Sequence, residues 1–477
     1  MKKNIHSQKR KIVETVKTVL IAVLFLCCLF LGYQILETYR EQTVIENFWL
    51  GPEVSVDNST TESATEKSPL SLFLKLSEPE IIISGSLKSR TLIEADSDKF
   101  KLIADVANRM VSGMYKLDYG SISDCEENEW KNALKGECLY IRYPAERFTQ
   151  YEASFYELPG SSFTQKIESY DQLAIIPEAE NKVSVILKDS KKGKFIKANF
   201  GSNDYKIVKE TIDENKGEDG KEYLFSYELG LDDSSTAGKV NIMPMVLIPQ
   251  REVIAQDILV SVPKIYKTGL NFTKTTEFTT GLINIFGYNP NTIREYANSE
   301  DALIFVGETG TLSVYPEGRI EYKALGSNEG VLLSAANTTK ASAVSVGMYN
   351  LIEKILKVSG VNIDNKDFDI KFTKMPQNIK ANEKREVFFD YFVDGKKVII
   401  SDRPSICAII ENGILTELKM EIKAIRKVEG KTLLPDLTDE IDAYRMGVKK
   451  IIGGNIVYKY NKGEDRTKAT WNIQGER

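Results

Sequence analysis

Beyond position 6 this 477-residue sequence contains no histidine. The absence removes Ser-His-Asp and Cys-His nucleophile pairs, and the usual histidine-containing zinc sites, from nearly the whole chain. Cysteine is almost as scarce, with five in all and none in a C-x-x-C spacing, so neither a thioredoxin-like site nor a zinc ribbon is indicated. Cys125 and Cys138 have two open readings. They could close a short loop in an oxidising compartment, or stand as small buried thiols. Cys407, inside the apolar stretch Ser405–Ile410, reads as core. Positive charge is also lacking: the formal net charge is −5, and the N-terminal tail is itself basic, so the remainder is more acidic still. Such a surface argues against nucleic acid as a partner.

Catalytic motifs fail on context. Ser261-Val262-Pro263-Lys264 and Lys267-Thr268-Gly269 match the S-x-x-K and K-T-G strings of penicillin-binding acyl-transferases. They are nearly adjacent, however, no S-D-N-like string lies between them, and Val260–Gly269 otherwise reads as extended around Pro263. Gly430-Lys431-Thr432 imitates the end of a phosphate-binding loop, but Ile425 stands where its first glycine is needed. Asp213–Lys221 superficially matches a calcium loop; Glu218 falls where glycine is required and Leu224 where a bidentate acid is required, so the segment reads as a solvated turn. The sequence therefore points to no enzyme, no cofactor and no metal.

What it does have is one long apolar run, Val19–Leu31, behind the basic tail Met1–Lys17. Extended over 18–36 it gives roughly 19 residues, about 28 Å of helix, enough to cross a bilayer core of about 30 Å. Six lysines and arginines against one acid precede it, which keeps the N-terminus cytoplasmic. No small-residue cleavage site follows, and Leu26 before Cys27 does not suit lipidation. The expectation is a single-pass cell-membrane protein with its bulk extracytoplasmic. Ala22, Phe25, Cys28, Leu29 and Gly32 are the candidate contact residues of this helix, with Cys28 and Gly32 forming a small-xxx-small pair.

Downstream the chain divides into a juxtamembrane linker (37–69), rich in Ser and Thr from Ser55 to Ser68, and three extracytoplasmic parts, 70–205, 206–328 and 329–477. The fold class expected is α+β, an elongated series of three α/β domains whose last two are rich in antiparallel hairpins with helices on one face. Apolar spacing predicts a helix over Ser97–Leu117, with Ser97 as N-cap, and others over Glu126–Leu134, Thr279–Gly287, Ser342–Val358 and Asp439–Gly447. Asp394-Gly395 and Asn412-Gly413 predict tight hairpins, because type I′ turns require positive φ at both central residues.

The segment Ile285–Ala324 resembles the YycH family. There a helix ends in a Phe-x-x-Asn/Asp-Pro-like turn, followed by Tyr-containing strands and a glycine-led hairpin that ends in tyrosine. The matching positions are Phe286, Asn289, Pro290, Tyr296, Gly310, Leu312, Gly318 and Tyr322, and they read as structural, with Asn289 and Pro290 stopping the helix and Gly318 serving a hairpin. The basic N-terminus, the single apolar helix and the three-part exterior fit the same family. The resemblance implies a non-enzymatic, membrane-anchored regulator of a WalK/YycG-like sensor histidine kinase, with a YycI-like membrane protein as second partner. The alternative reading is an extracytoplasmic cell-wall or ligand-binding module uncoupled from any kinase.

Overall fold

The computed structural model describes residues 68–476, except 180, 215–221, 233–240, 269, 271–275, 300, 327–328, 334–340, 364–365, 378–383, 445–447 and 465. The expected membrane span over 18–36 and most of the acidic 213–221 segment lie outside these residues. Among the described residues no helix is long and apolar enough to cross a membrane. The fold is α+β, with strands paired mostly antiparallel.

The first part opens with helix α1 (Pro69–Leu76) and continues through β1 (Ile81–Ser86), β2 (Ser89–Ile93), α2 (Asp98–Met114), β3 (Ile122–Cys125), α3 (Glu127–Lys135), β4 (Cys138–Phe148), α4 (Thr149–Ala153) and α5 (Phe163–Lys166). It ends with β5 (Ser169–Pro177), β6 (Lys182–Asp189), β7 (Lys194–Gly201) and α6 (Tyr205–Asp213). Its sheet has the order β2-β1-β4-β5-β6-β7-β3. Successive strand residues point to opposite faces, and here both faces are covered. Leu139, Leu173 and Val185 pack under α2 and α6, while Tyr140, Ala174 and Ile186 pack with Trp130 and Leu134 of α3. Ser97 caps α2 as expected, its Oγ accepting from the Phe100 amide at 3.1 Å.

Connecting strands follow: β8 (Tyr223–Phe225), β9 (Asn241–Ile242), β10 (Leu247–Pro249) and β11 (Ile254–Ser261). Arg90 of β2 is buried against this segment. Its guanidinium donates to both Glu228 carboxylate oxygens, at 2.6 and 3.0 Å, and to the Leu134 carbonyl at 2.8 Å. After α7 (Lys264–Thr268) and α8 (Glu277–Ile285) comes the meander β12 (Arg294–Ala297), β13 (Leu303–Val306), β14 (Gly310–Val314) and β15 (Arg319–Ala324), then β16 (Val331–Leu332) and α9 (Ala341–Val358). The remaining elements are β17 (Asp369–Lys374), β18 (Arg385–Val393), β19 (Lys396–Ile399), β20 (Ile406–Glu411), β21 (Ile414–Glu421), β22 (Ala424–Leu433), α10 (Leu437–Tyr444), β23 (Lys450–Lys459), β24 (Arg466–Thr467) and β25 (Ala469–Glu476).

Among the described residues a 13-stranded sheet has ten strands in the order β12-β13-β14-β15-β21-β20-β18-β19-β23-β25, with β16 paired to β21, β17 to β18 and β9 to β23. Because β15 pairs with β21, from Arg319↔Glu421 to Lys323↔Glu417, the sheet is continuous across position 328. Helices α8 and α9 share its buried face with Leu312, Tyr322, Leu418 and Phe389. The two expected I′ hairpins are present: Asp394 and Gly395 have φ of 49° and 73°, Asn412 and Gly413 of 55° and 79°.

Candidate functional site

The motif residues of 285–324 form a packing unit around one face of the meander. Leu312 and Tyr322 are cross-strand partners and both are buried. The Phe286 ring stacks on Tyr322 with centroids 4.9 Å apart. Gly310 makes the room: a Cβ there would lie 2.6 Å from the Lys323 carbonyl oxygen and 2.9 Å from the Tyr322 ring. Gly318, at φ +86°, closes the β14–β15 turn, its amide donating to the Tyr315 carbonyl at 3.0 Å. The helix stop falls at the predicted Gly287, but Asn289 and Pro290 do not make it. Gly287 ends α8 at φ +71°, with the Gly287 amide bonded to the Asn284 carbonyl and the Tyr288 amide to that of Ile283, both at 3.1 Å. This paired closure uses a glycine because only glycine adopts positive φ without strain. Asn289 and Pro290 begin the following turn, where the Asn289 side chain accepts from the Asn291 amide at 3.0 Å. Tyr296 stands apart, exposed on edge strand β12. Ala22, Phe25, Cys28, Leu29 and Gly32 lie outside the described residues.

The catalytic look-alikes are placed in ordinary structural roles. Ser261 ends β11 and Lys264 opens α7, so Val260–Gly269 is not extended throughout; Pro263 sits just ahead of the helix, where its fixed φ is tolerated. Gly430 to Thr432 lie within β22, with the Thr432 hydroxyl donating to Asp257 at 2.6 Å. Among the described residues no group of three acids, cysteines or histidines is placed to hold a metal. A cleft near Tyr151, Ser345, Met348, Arg385 and Phe389 has room of about 20 Å³, the scale of a water rather than an organic ligand.

The thiols are also settled by topology. Cys125 lies on β3 and Cys138 on β4, four strand steps apart in the sheet, or about 19 Å at the usual strand spacing. A disulfide needs Cα atoms within about 7 Å, so the bridging alternative fails in this fold, and both thiols are free. Burial pushes each of them up to about 12. Cys407 is half-buried rather than core, because its position on β20 faces away from the α8–α9 layer.

The most connected feature is the junction at residues 68–80, where the chain leaves the 37–67 segment. Sequence reading passed over α1, although Ser68-Pro69 followed by Leu72, Phe73 and Leu76 is a cap-plus-stripe signal. The Ser68 Oγ accepts from the Ser71 amide at 3.2 Å, and Pro69 occupies the first turn. Leu72, Phe73 and Leu76 are buried, with α1 packed on α9 and β17. The Phe73 ring stacks on Phe155 at 4.3 Å, meets Tyr151 edge-on at 6.1 Å, and lies 5.5 Å from the Arg147 guanidinium. Arg147 is itself buried and paired with Glu152 at 2.5 Å, and Tyr170 donates to the same carboxylate at 2.8 Å.

Immediately after α1, polar contacts stitch the two large sheets together. The buried Lys371 ammonium of β17 reaches Glu78 and the Pro79 carbonyl, both at 2.9 Å. Arg142 of β4 donates to Glu80 and to Asn455 of β23, both at 2.6 Å. Tyr151 and Ser345 share a hydroxyl hydrogen bond. The Asp394-Gly395 turn rests on the Glu80 carbonyl and Ala95. Beside it burial lowers the pKa of the Lys396 ammonium, opposed by Asp394, Asp96 and Glu94. Phe73 and Glu78–Glu80 thus touch both sheets within twelve residues of the linker.

No protein-family model matches this sequence, and no curated protein is significantly similar to it. The structure is similar to the crystal structure of YycH from Bacillus subtilis, with a TM-score of 0.53 and 13% identity over 84% of this chain and 95% of that one. The resemblance carried by Ile285–Ala324 is therefore met at the level of the fold.

Proposed function

We propose that this chain, which has the YycH fold, is a non-enzymatic, membrane-anchored extracytoplasmic regulator of a cell-wall-related sensor histidine kinase. The observation carrying this reading is the fold likeness, which extends over 84% of one chain and 95% of the other. In this reading the 18–36 helix and the exterior contact the kinase and a YycI-like membrane protein. The junction at 68–80 supports a coupling role. A chain held in the bilayer joins the exterior at Ser68, and a pull or rotation there loads α1, which packs on α9 and β17 and sets Phe73 beside Arg147 of β4. Crosslinking with mass spectrometry on native membranes tests the proposal: recovery of a histidine kinase and a sister anchor is expected. Retention on wall polymer with no kinase recovered refutes it in favour of a binding module. Replacing Val19–Leu31 by an unrelated apolar helix isolates the helix contribution, because unchanged kinase-dependent transcription with normal insertion removes it.

A further inference from the structure

One face of the 13-stranded sheet carries α8 and α9, and the other presents a patterned surface. Along β13, β14, β15, β21, β20 and the start of β18 the outward positions of two rows are half-buried or exposed and the alternating inward ones are buried, whereas farther along β18 the outward Asp390 and Phe392 are buried. Strand register aligns them in two rows. One runs Val306, Thr311, Lys323, Glu417, Ile409, Glu386, and the other Ile304, Ser313, Glu321, Lys419, Cys407, Phe388. The β15–β21 seam at the middle carries Lys323 beside Glu417 in one row and Glu321 beside Lys419 in the next. Apolar side chains flank it on both sides, Ile304 and Val306 on β13 and Ile409 and Phe388 on β20 and β18.

We infer that this face is a self-association surface that receives a second copy of the same chain. The argument is charge complementarity with a symmetry. A two-fold axis along the β15–β21 seam, parallel to the strands, keeps each row opposite itself and reverses its order, as an isologous contact requires. Lys323 then faces Glu417 of the second copy, Glu321 faces its Lys419, and Ile304 faces its Phe388. Every seam charge meets its opposite and Ile304 meets Phe388, while Thr311 falls opposite Ile409, Ser313 opposite Cys407, and Val306 opposite Glu386, whose carboxylate is held by Lys374 of its own chain at 2.5 Å. Shifting the axis onto β15 would set Lys323 against Lys323, so the pattern also fixes the register. Sheets packed face to face lie about 10 Å apart, the depth these side chains fill.

The test uses the full-length chain, bearing two different affinity tags, co-expressed and extracted from membranes. Wild-type chains are expected to capture one another. Lys323→Glu paired with itself places like charges across the axis twice and lowers capture by about tenfold or more. Lys323→Glu in one chain with Glu417→Lys in the other restores every cross-axis pair and returns capture to the wild-type level. Absence of wild-type capture, capture unaffected by Lys323→Glu, or failure of the mixed pair overturns the proposal. The second row repeats the measurement with Lys419→Glu and Glu321→Lys, so a folding defect in one variant, seen as a lowered thermal midpoint, leaves the other pair to decide.

Discussion

Replacing Phe73 by alanine tests whether α1 is an integral part of the exterior or a detachable appendage. The ring is 1% exposed and touches Phe155, Tyr151 and Arg147 from different sides. Truncating a buried phenylalanine costs about 3–5 kcal/mol from lost transfer energy and the cavity left behind. Phe73→Leu, which keeps most of the volume, costs under about 1.5 kcal/mol. The natural assay is hydrogen–deuterium exchange of the hydrogen-bonded amides from Leu72 to Ser77, which reads the opening free energy of the helix directly. A loss of 3 kcal/mol accelerates exchange by about a hundredfold, at 1.4 kcal/mol per decade. The half-buried neighbour Leu74 serves as control, and Leu74→Ala is expected to have a much smaller effect. If Phe73→Ala speeds exchange by less than about threefold, or no more than Leu74→Ala does, the packing argument for the junction is wrong.

Further expectations concern stability. Arg90→Met leaves the buried Glu228 carboxylate without its guanidinium and lowers unfolding free energy by about 3–5 kcal/mol in urea titration, with Arg90→Met/Glu228→Leu recovering part of it. Gly310→Ala forces a methyl against the Lys323 carbonyl and the Tyr322 ring, at a cost of about 1–3 kcal/mol read as a lower thermal midpoint. Alkaline pH destabilises the fold. Cys138, Tyr151 and Tyr223 are each pushed up to about 12 by burial, so the unfolded chain loses its protons first. Stability present below the unfolded values, near 9 to 10, falls as pH rises towards 12; a urea midpoint unchanged across that range contradicts the burial assignment.

Local chemistry was the legible part of this molecule. The Ser97 cap and the two hairpins at Asp394-Gly395 and Asn412-Gly413 follow from rules that act within a few residues, and the structure has all three. The helix boundary at Gly287 was legible, but the stopping role given to Asn289-Pro290 belongs to the glycine, because the turn chemistry of Asn-Pro is more conspicuous than a single glycine after Phe286. Long-range placement was not legible. Nothing local distinguishes a 13-residue cysteine loop from two cysteines four strands apart, since the answer depends on β5, β6 and β7 intervening. Cys407 sits in an apolar string, yet the period-two alternation of β20 turns it outward. The junction emerged only from tertiary contacts, because Lys371, Arg142 and Asn455 are ordinary polar residues until the fold sets them around Glu78–Glu80.

The pairing of β15 with β21 also sets an order of events during synthesis. The meander β12–β15 is complete once residue 324 has been made, but its inner edge finds its hydrogen-bonding neighbour only in residues 414–421. For roughly ninety residues of elongation, several seconds or more at ordinary translation rates, β15 is a bare edge with unmet amides and carbonyls, the kind of template on which chains mispair. Non-local closure of this sort slows folding. Chains truncated before residue 414 are therefore expected to aggregate, whereas those extending past 421 can seal that edge.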